Sequence, residues 1–185
     1  MKVIETERLI LRTWCEEDTE AFYRINQDPK VYEYLLGPLS REEAQHFIAD
    51  MNQRFTENNF TLWAVEEKTT GAMIGFVGLS VPKFTAHFTP CVEIGWRLGS
   101  QFWGKGYAPE AAKAVLKYGF TNIGLTEIVS FTATGNLKSI RVMEKIGMHR
   151  NIVDDFNHPA ISPDHRLAQH VLYRILREDI NNVMK

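Results

Sequence analysis

Residues 92–133 read VEIGWRLGSQFWGKGYAPEAAKAVLKYGFTNIGLTEIVSFTA. "VEIGWRL" is an apolar run of strand length, and "EIVSFTA" is of β-branched and aromatic type. Between them, "APEAAKAVLKYGF" carries apolar residues at helical spacing. Strand, crossover helix and strand make a parallel pair. The helix is introduced by Gly104-Lys105-Gly106, with Pro109 at the expected first helical position and Glu110 after it. Such a turn lies at the carboxyl end of a strand, where open α/β sheets bind ligands. The N–H groups of a helix start lack intrahelical acceptors and carry partial positive charge. Gly104 and Gly106 have no side chain to hold an anion away, and Lys105 adds a cation. The local chemistry therefore supports two readings: a phosphate or pyrophosphate cradle, or a tight reversal of the chain.

The rest of the chain fits one mixed α/β domain. "ERLILRTW" reads as a strand and "CEEDTEAFYRINQDP" as a short helix stopped at Pro29. "SREEAQHFIADMNQRF" opens on the capping box Ser40/Glu43 and continues with apolar residues at helical spacing. "FTLWAVEE" and "MIGFVGLSV" read as a strand pair, and "PKFTAHFTP" as a loop before "VEIGWRL". After "EIVSFTA" comes the helix "NLKSIRVMEKIG", with Asn136 as N-cap and Gly147 as its stop. "HRNIVDDF" is expected as a strand, "NHPAISPDHRLAQ" as a loop and "HVLYRIL" as a closing strand. No linker or repeat divides this order.

Composition narrows the function classes. The chain has 185 residues, of which 44% are hydrophobic and 24% charged, values of an ordinary globular domain with a real core. A net charge of −2 argues against a general nucleic-acid binder. No apolar run approaches the ~20 residues of a membrane span, and "MKVIETERLILR" lacks the apolar block of a signal peptide. Cys15 and Cys91 are the only cysteines, so a reducing cytoplasm is the expected compartment and a structural zinc cluster is not expected. The histidines match no metal-binding spacing, and no metal site is read from them.

The glycine turn fits neither the Walker loop, because Gly106 follows Lys105 where Ser or Thr is needed, nor the dinucleotide fingerprint, which needs a third glycine. Gln101-Phe102-Trp103-Gly104-Lys105-Gly106 does match Q/R-x-x-G-x-G/A, the acetyl-CoA pyrophosphate loop of the GNAT N-acetyltransferase superfamily. "EIGWRL" resembles that family's central strand, "APEAAKAVLKYGF" its following helix, and "TGNLKSIRVMEKIGM" its N-x-x-S block. "TERLILR", residues 6–12, resembles the opening strand of the branch that includes the N-terminal acetyltransferases of ribosomal proteins. The resemblance spans roughly residues 6–177 and leaves 178–185 as a tail.

The resemblance implies an α/β fold with a mixed, mostly antiparallel sheet and a central parallel pair that splays apart. It implies acetyl-CoA as co-substrate and a primary amine as acceptor. Gly95, Trp96, Arg97 and Leu98 would offer an open strand edge to the pantetheine arm. The backbone N–H groups of Phe102, Trp103, Gly104, Lys105, Gly106, Tyr107 and Ala108 would hold the pyrophosphate, with Lys105 and Arg97 screening its charge or standing as ordinary cations. Asn136 would meet the pantetheine arm or cap its helix. Ser139 would stabilise the leaving thiolate, or be a surface serine. Glu93 would draw the proton from the amine, directly or through water, or be a solvated carboxylate. His158 and His170 fall in a segment that lies near the acceptor in some members, and Phe84, His87 and Phe88 either line an acceptor pocket or cover the core. Cys91 reads as packing. Many members are dimers, so a homodimer is compatible, although the sequence carries no interface signature. A non-catalytic acyl-CoA sensor is the alternative; it would keep the glycine loop without needing Glu93 or Ser139.

Overall fold

The computed structural model describes residues 1–180; the last five residues of the expected tail lie outside the described residues. The strands are β1 (Lys2–Glu5), β2 (Leu9–Arg12), β3 (Leu62–Glu67), β4 (Ala72–Ser80), β5 (Glu93–Leu98), β6 (Glu127–Ala133), β7 (His149–Arg150), β8 (Phe156–Asn157) and β9 (Gln169–Leu176). The helices are α1 (Asp18–Asn26), α2 (Pro29–Tyr32), α3 (Arg41–Asn58), α4 (Tyr107–Tyr118) and α5 (Leu137–Lys145). Among the described residues the strands form one sheet in the order β1-β2-β3-β4-β5-β6-β9-β7, with β8 on β9. Every pairing is antiparallel except β5 with β6. This is the α/β fold with a splayed parallel pair that the resemblance implies.

Local chemistry explains most of the elements. At the start of α3, Ser40 Oγ accepts from the Glu43 N–H at 3.1 Å and Glu43 Oε2 accepts from the Ser40 N–H at 2.7 Å, so each end satisfies the other. β1 was not expected from sequence: a four-residue edge strand with Lys2 and Glu5 at its ends looks like a charged leader until β2 pairs with it. "HRNIVDDF" is not one strand. Asn151 accepts from the Val153 N–H and starts a 3₁₀ turn over Ile152–Asp154, which separates β7 from β8 and competes with the ladder.

The sheet buries both faces. One face packs on α4 and α5 through residues such as Ile94, Leu116, Ile128 and Met143. On the other, α1 and α3 cover β3 and β4 through Trp14, Phe22, Phe47 and Phe76. Further along that second face, the β4–β5 loop folds over β6 and β9 through Phe84, Phe88, Phe131 and Phe156.

At the parallel pair only Glu93 and Val129 stand in register. The Val129 N–H donates to Val92 O at 3.0 Å, and the buried Ser130 hydroxyl donates to Ile94 O at 2.9 Å. The hydroxyl thus takes the place of a ladder bond just where the strands part. Ser130→Ala leaves the Ile94 carbonyl without that donor. Its expected effect is a loss of about 1–3 kcal/mol in unfolding free energy, read by urea denaturation.

Candidate active site

Beyond Ile94 the free edge of β5 follows from strand alternation. The Gly99 N–H donates to Ile74 O on the β4 side, while Val92 O and Ile94 O accept from the β6 side. A two-residue period then sends the backbone groups of Gly95 and Arg97 toward β4, and those of Trp96 and Leu98 into the splay. Leu98 O already accepts from the Trp103 indole N–H at 2.9 Å. Of the four residues expected to form the open edge, Trp96 and Leu98 present their backbone there. Gly95 instead provides room: a Cβ on it would meet nothing closer than Leu62 Cδ2 at 3.8 Å and Glu93 Oε1 at 3.9 Å.

The loop after β5 is narrower than expected as an anion site. The Phe102 N–H donates to Gly99 O at 2.9 Å and the Trp103 N–H to Ser100 O at 3.1 Å, so both are committed within a 3₁₀ turn. Gly104 and Gly106 adopt φ of 76° and 80°, the left-handed region that favours glycine. α4 begins at Tyr107 with Gly106 as an N-cap that offers no side chain. Among the described residues no protein acceptor meets the N–H groups of Gly104, Lys105, Gly106, Tyr107 or Ala108. Pro109 is the third helical residue, not the first; its missing N–H still falls where helices leave donors unpaired.

Between this loop, β5 and α5 lies a cavity of about 400 Å³ bordered by Trp96, Leu98, Gly106, Asn136 and Ser139. Lys30, Arg97, Lys138, Arg141 and Lys145 also border it, against one acid, Glu33. Asn136 does cap α5: its Oδ1 accepts from the Ser139 N–H at 3.4 Å, while its Nδ2 donates to Thr132 Oγ1 at 2.9 Å. Ser139, third in α5, is half-buried at the cavity wall. The Lys105 ammonium lies 5.4 Å from the Phe102 ring centroid.

Arg97 borders the cavity, but its guanidinium is engaged on the other face. Its Nη1 donates to Asn26 Oδ1 at 2.6 Å and its guanidinium lies 5.4 Å from the Phe76 ring, on the α1 side of the sheet. Burial lowers it to about 10, which leaves it charged at neutral pH. Glu93 points to the same side, next to Gly95. Burial pushes its carboxyl up to about 8, partly offset by a hydrogen bond from Ser80. Burial, with the Glu93 charge, pushes the Cys91 thiol up to about 11.

The tail histidines join the aromatic cluster. The rings of His158 and His170 lie 5.1 Å apart, His158 is 4.6 Å from Phe84, and His170 is 6.2 Å from Phe131. Phe88 is buried, so this loop covers a core, while His87 Nε2 stands 3.8 Å from Asp154. Arg166 Nη2 donates to Glu33 O at 2.5 Å and ties the β8–β9 loop to the segment after α2. The structure adds residues that sequence reasoning missed: Ser130 on the Ile94 carbonyl, Asn26 on Arg97, and Thr6 and Arg8 on Glu110; it also gives Trp103 an indole role on the Leu98 carbonyl. Asn26 and Arg97 are 71 residues apart, and no local pattern announces such a pair.

A sheet opened beside a donor-rich glycine loop places an anion-binding helix start next to unpaired strand N–H groups. The acetyltransferase (GNAT) domain model matches residues 8–149, and the chain belongs to that family. It is 37% identical to the uncharacterized protein YkkB of Bacillus subtilis over 78% of this chain and 83% of that one. It is 32% identical to the uncharacterized N-acetyltransferase YnaD of the same organism, over 96% of this chain and 99% of the other. The crystal structure of a GNAT-family acetyltransferase from Bacillus anthracis superimposes with a TM-score of 0.77 at 29% identity, covering 95% of this chain and 98% of that one. The chain is therefore an N-acetyltransferase whose co-substrate is acetyl-CoA.

Gly106 offers a direct test of the loop. Valine disfavours a φ of 80°, and its Cβ would lie 3.4 Å from Arg8 Nη2. Gly106→Val is expected to raise the acetyl-CoA Kd at least about tenfold, or 1.4 kcal/mol, by calorimetry.

Proposed function

We propose that this chain moves the acetyl group of acetyl-CoA to a primary amine, a protein N-terminal α-amine or a small amine, by direct attack in a ternary complex. The observation that carries the reading is Glu93, a carboxyl held near pH 8 beside the gap at Gly95, where the two strands part. The pantetheine amides pair with the Trp96 and Leu98 backbone, and the pyrophosphate takes the free N–H groups of residues 104–108. The amine lone pair attacks the thioester carbon, whose oxygen is polarised by the central-strand N–H groups. An ammonium first gives one proton to Glu93 and so becomes the nucleophile; as the C–N bond forms and the C–S bond breaks, the nitrogen's second proton passes to the leaving thiolate, which accepts a hydrogen bond from Ser139. Asn136 combines its capping role with contact to the arm.

Cys91 supports direct attack, because a thiol held up to about 11 is protonated at neutral pH and offers no thiolate for an acyl-enzyme. No described helix is long and apolar enough to cross a membrane, and a cytoplasmic setting is the one we propose. The acyl-CoA sensor reading falls, because the chain belongs to a family of acetyltransferases and resembles a named N-acetyltransferase along nearly its whole length. Thiol release from acetyl-CoA with a panel of amines and tripeptides identifies the acceptor: release with at least one amine class is expected, and bound cofactor without release in any class counts against the proposed transfer.

Glu93 gives the enzyme reading a pH signature. Only the carboxylate accepts a proton, so activity rises with pH through about 8 and levels off above it. An acceptor amine that titrates well below this range keeps its own ionisation out of the profile. Glu93→Gln is expected to lower kcat by roughly 10²-fold and to abolish the inflection. A wild-type profile flat from pH 6 to about 9 counts against Glu93 as base.

A further inference from the structure

Arg8, in the turn between β1 and β2, reaches across to the start of α4. Its Nη1 donates to Lys105 O at 2.9 Å and its Nε to Glu110 Oε2 at 2.6 Å. Its guanidinium carbon lies 4.6 Å from the Tyr107 ring centroid. Glu110 Oε1 accepts from Thr6 Oγ1 at 2.6 Å and from the Arg8 N–H at 3.0 Å. Tyr107 is fixed at its far end by a hydrogen bond from its hydroxyl to Glu67. One side chain from the turn between β1 and β2 thus grips the glycine loop and the first turn of α4.

Two consequences follow. A trans peptide is planar, and its C=O and N–H point in opposite directions. Lys105 C=O and Gly106 N–H belong to the same peptide. Holding the carbonyl on Arg8 therefore aims the Gly106 N–H the other way, and Gly106 borders the cavity. The second consequence concerns charge. Glu110 is the fourth residue of α4, and a carboxylate there would repel an anion at the helix start. Burial works against its charge, but the hydrogen bonds from Thr6 and Arg8 outweigh burial and keep it ionised and paired.

We propose that Arg8 is a positioning residue for the pyrophosphate loop: it orients the Lys105–Gly106 peptide toward the anion and neutralises Glu110 beside it. This rests on the loop holding the pyrophosphate. Lysine retains the charge but not the planar fork, so it cannot hold Glu110 and Lys105 O together. Arg8→Lys is the main variant, and Glu110→Gln, which weakens the same clamp while keeping its shape, is the second.

The probes are acetyl-CoA and S-acetyl-pantetheine, which carries the thioester arm without the pyrophosphate. Calorimetry on the full chain is expected to show the acetyl-CoA Kd raised about tenfold in Arg8→Lys; in Glu110→Gln the weakened clamp and the removed carboxylate charge oppose each other, and the Kd should stay within about threefold of wild type. The S-acetyl-pantetheine Kd should stay within about twofold of wild type in both. Equal weakening of both ligands would mean that Arg8 only supports the fold and would overturn the proposal. An unchanged acetyl-CoA Kd in Arg8→Lys, with Gly106→Val still weakening it, sinks the clamp and leaves the loop assignment standing. An unchanged Kd in Gly106→Val removes the pyrophosphate assignment itself, and the clamp with it.

Discussion

The strand edge left open beyond Ile94 is the constraint on which the rest depends. Two parallel strands that part after one register position abandon hydrogen bonds that a closed sheet would make, and each buried polar group without a partner costs about 1–3 kcal/mol. The molecule limits that cost with side chains. Ser130 satisfies the Ile94 carbonyl and Trp103 the Leu98 carbonyl. The N–H groups of Trp96 and Leu98 are left facing the cavity. An amide-bearing arm with carbonyl acceptors matches this set, which links the fold to the carrier the family uses.

The same alternation divides the chemistry between the two faces of the sheet. Ile94, with Trp96 packed against the same core, belongs to the α4 and α5 face, where the glycine loop, Asn136 and Ser139 border the cavity. Glu93 and Arg97 point to the opposite face, toward Gly95 and toward Asn26 and Phe76. The splay is where the faces communicate. A thioester carbon lying there can be approached from the second face while its carrier is held on the first. Arg97 helps to keep the faces distinct: its guanidinium is settled by one hydrogen bond and one aromatic ring on the α1 side of the sheet.

What could be read from sequence was local. The capping box of α3 and the Asn136 cap each depend on residues within a few positions of one another and have the expected geometry; the glycine turn lies where expected, but Pro109 is third in α4 and two of the expected donors are used within the turn. The strand–helix–strand unit had enough periodicity to be placed. The site was less legible where roles depend on distant partners. Arg97 reads as a free cation until Asn26 is brought beside it. The Phe102 and Trp103 N–H groups look available until the chain curls into a 3₁₀ turn and uses them. "HRNIVDDF" has strand composition, yet one asparagine redirects its backbone. β1 is visible only as the partner of β2, because a short edge strand has little pattern of its own.

Proton affinities carry the proposed reaction one step further. A carboxylate buried beside an incoming ammonium would be a desolvated ion pair, an arrangement the interior tolerates poorly. Moving the proton from nitrogen to Glu93 converts it into two neutral groups, one of them a nucleophile. Raising the Glu93 carboxyl to about 8 brings its proton affinity toward that of an α-amine, whose value in water is about 7.7–8.0. For a lysine amine of about 10.4 the mismatch is roughly 3 kcal/mol, and a site that served lysine would have to supply that difference from contacts with the rest of its substrate. The burial that makes Glu93 a poor anion thus makes it a suitable base for weakly basic amines, and the proposed site favours these from the protonation step onward.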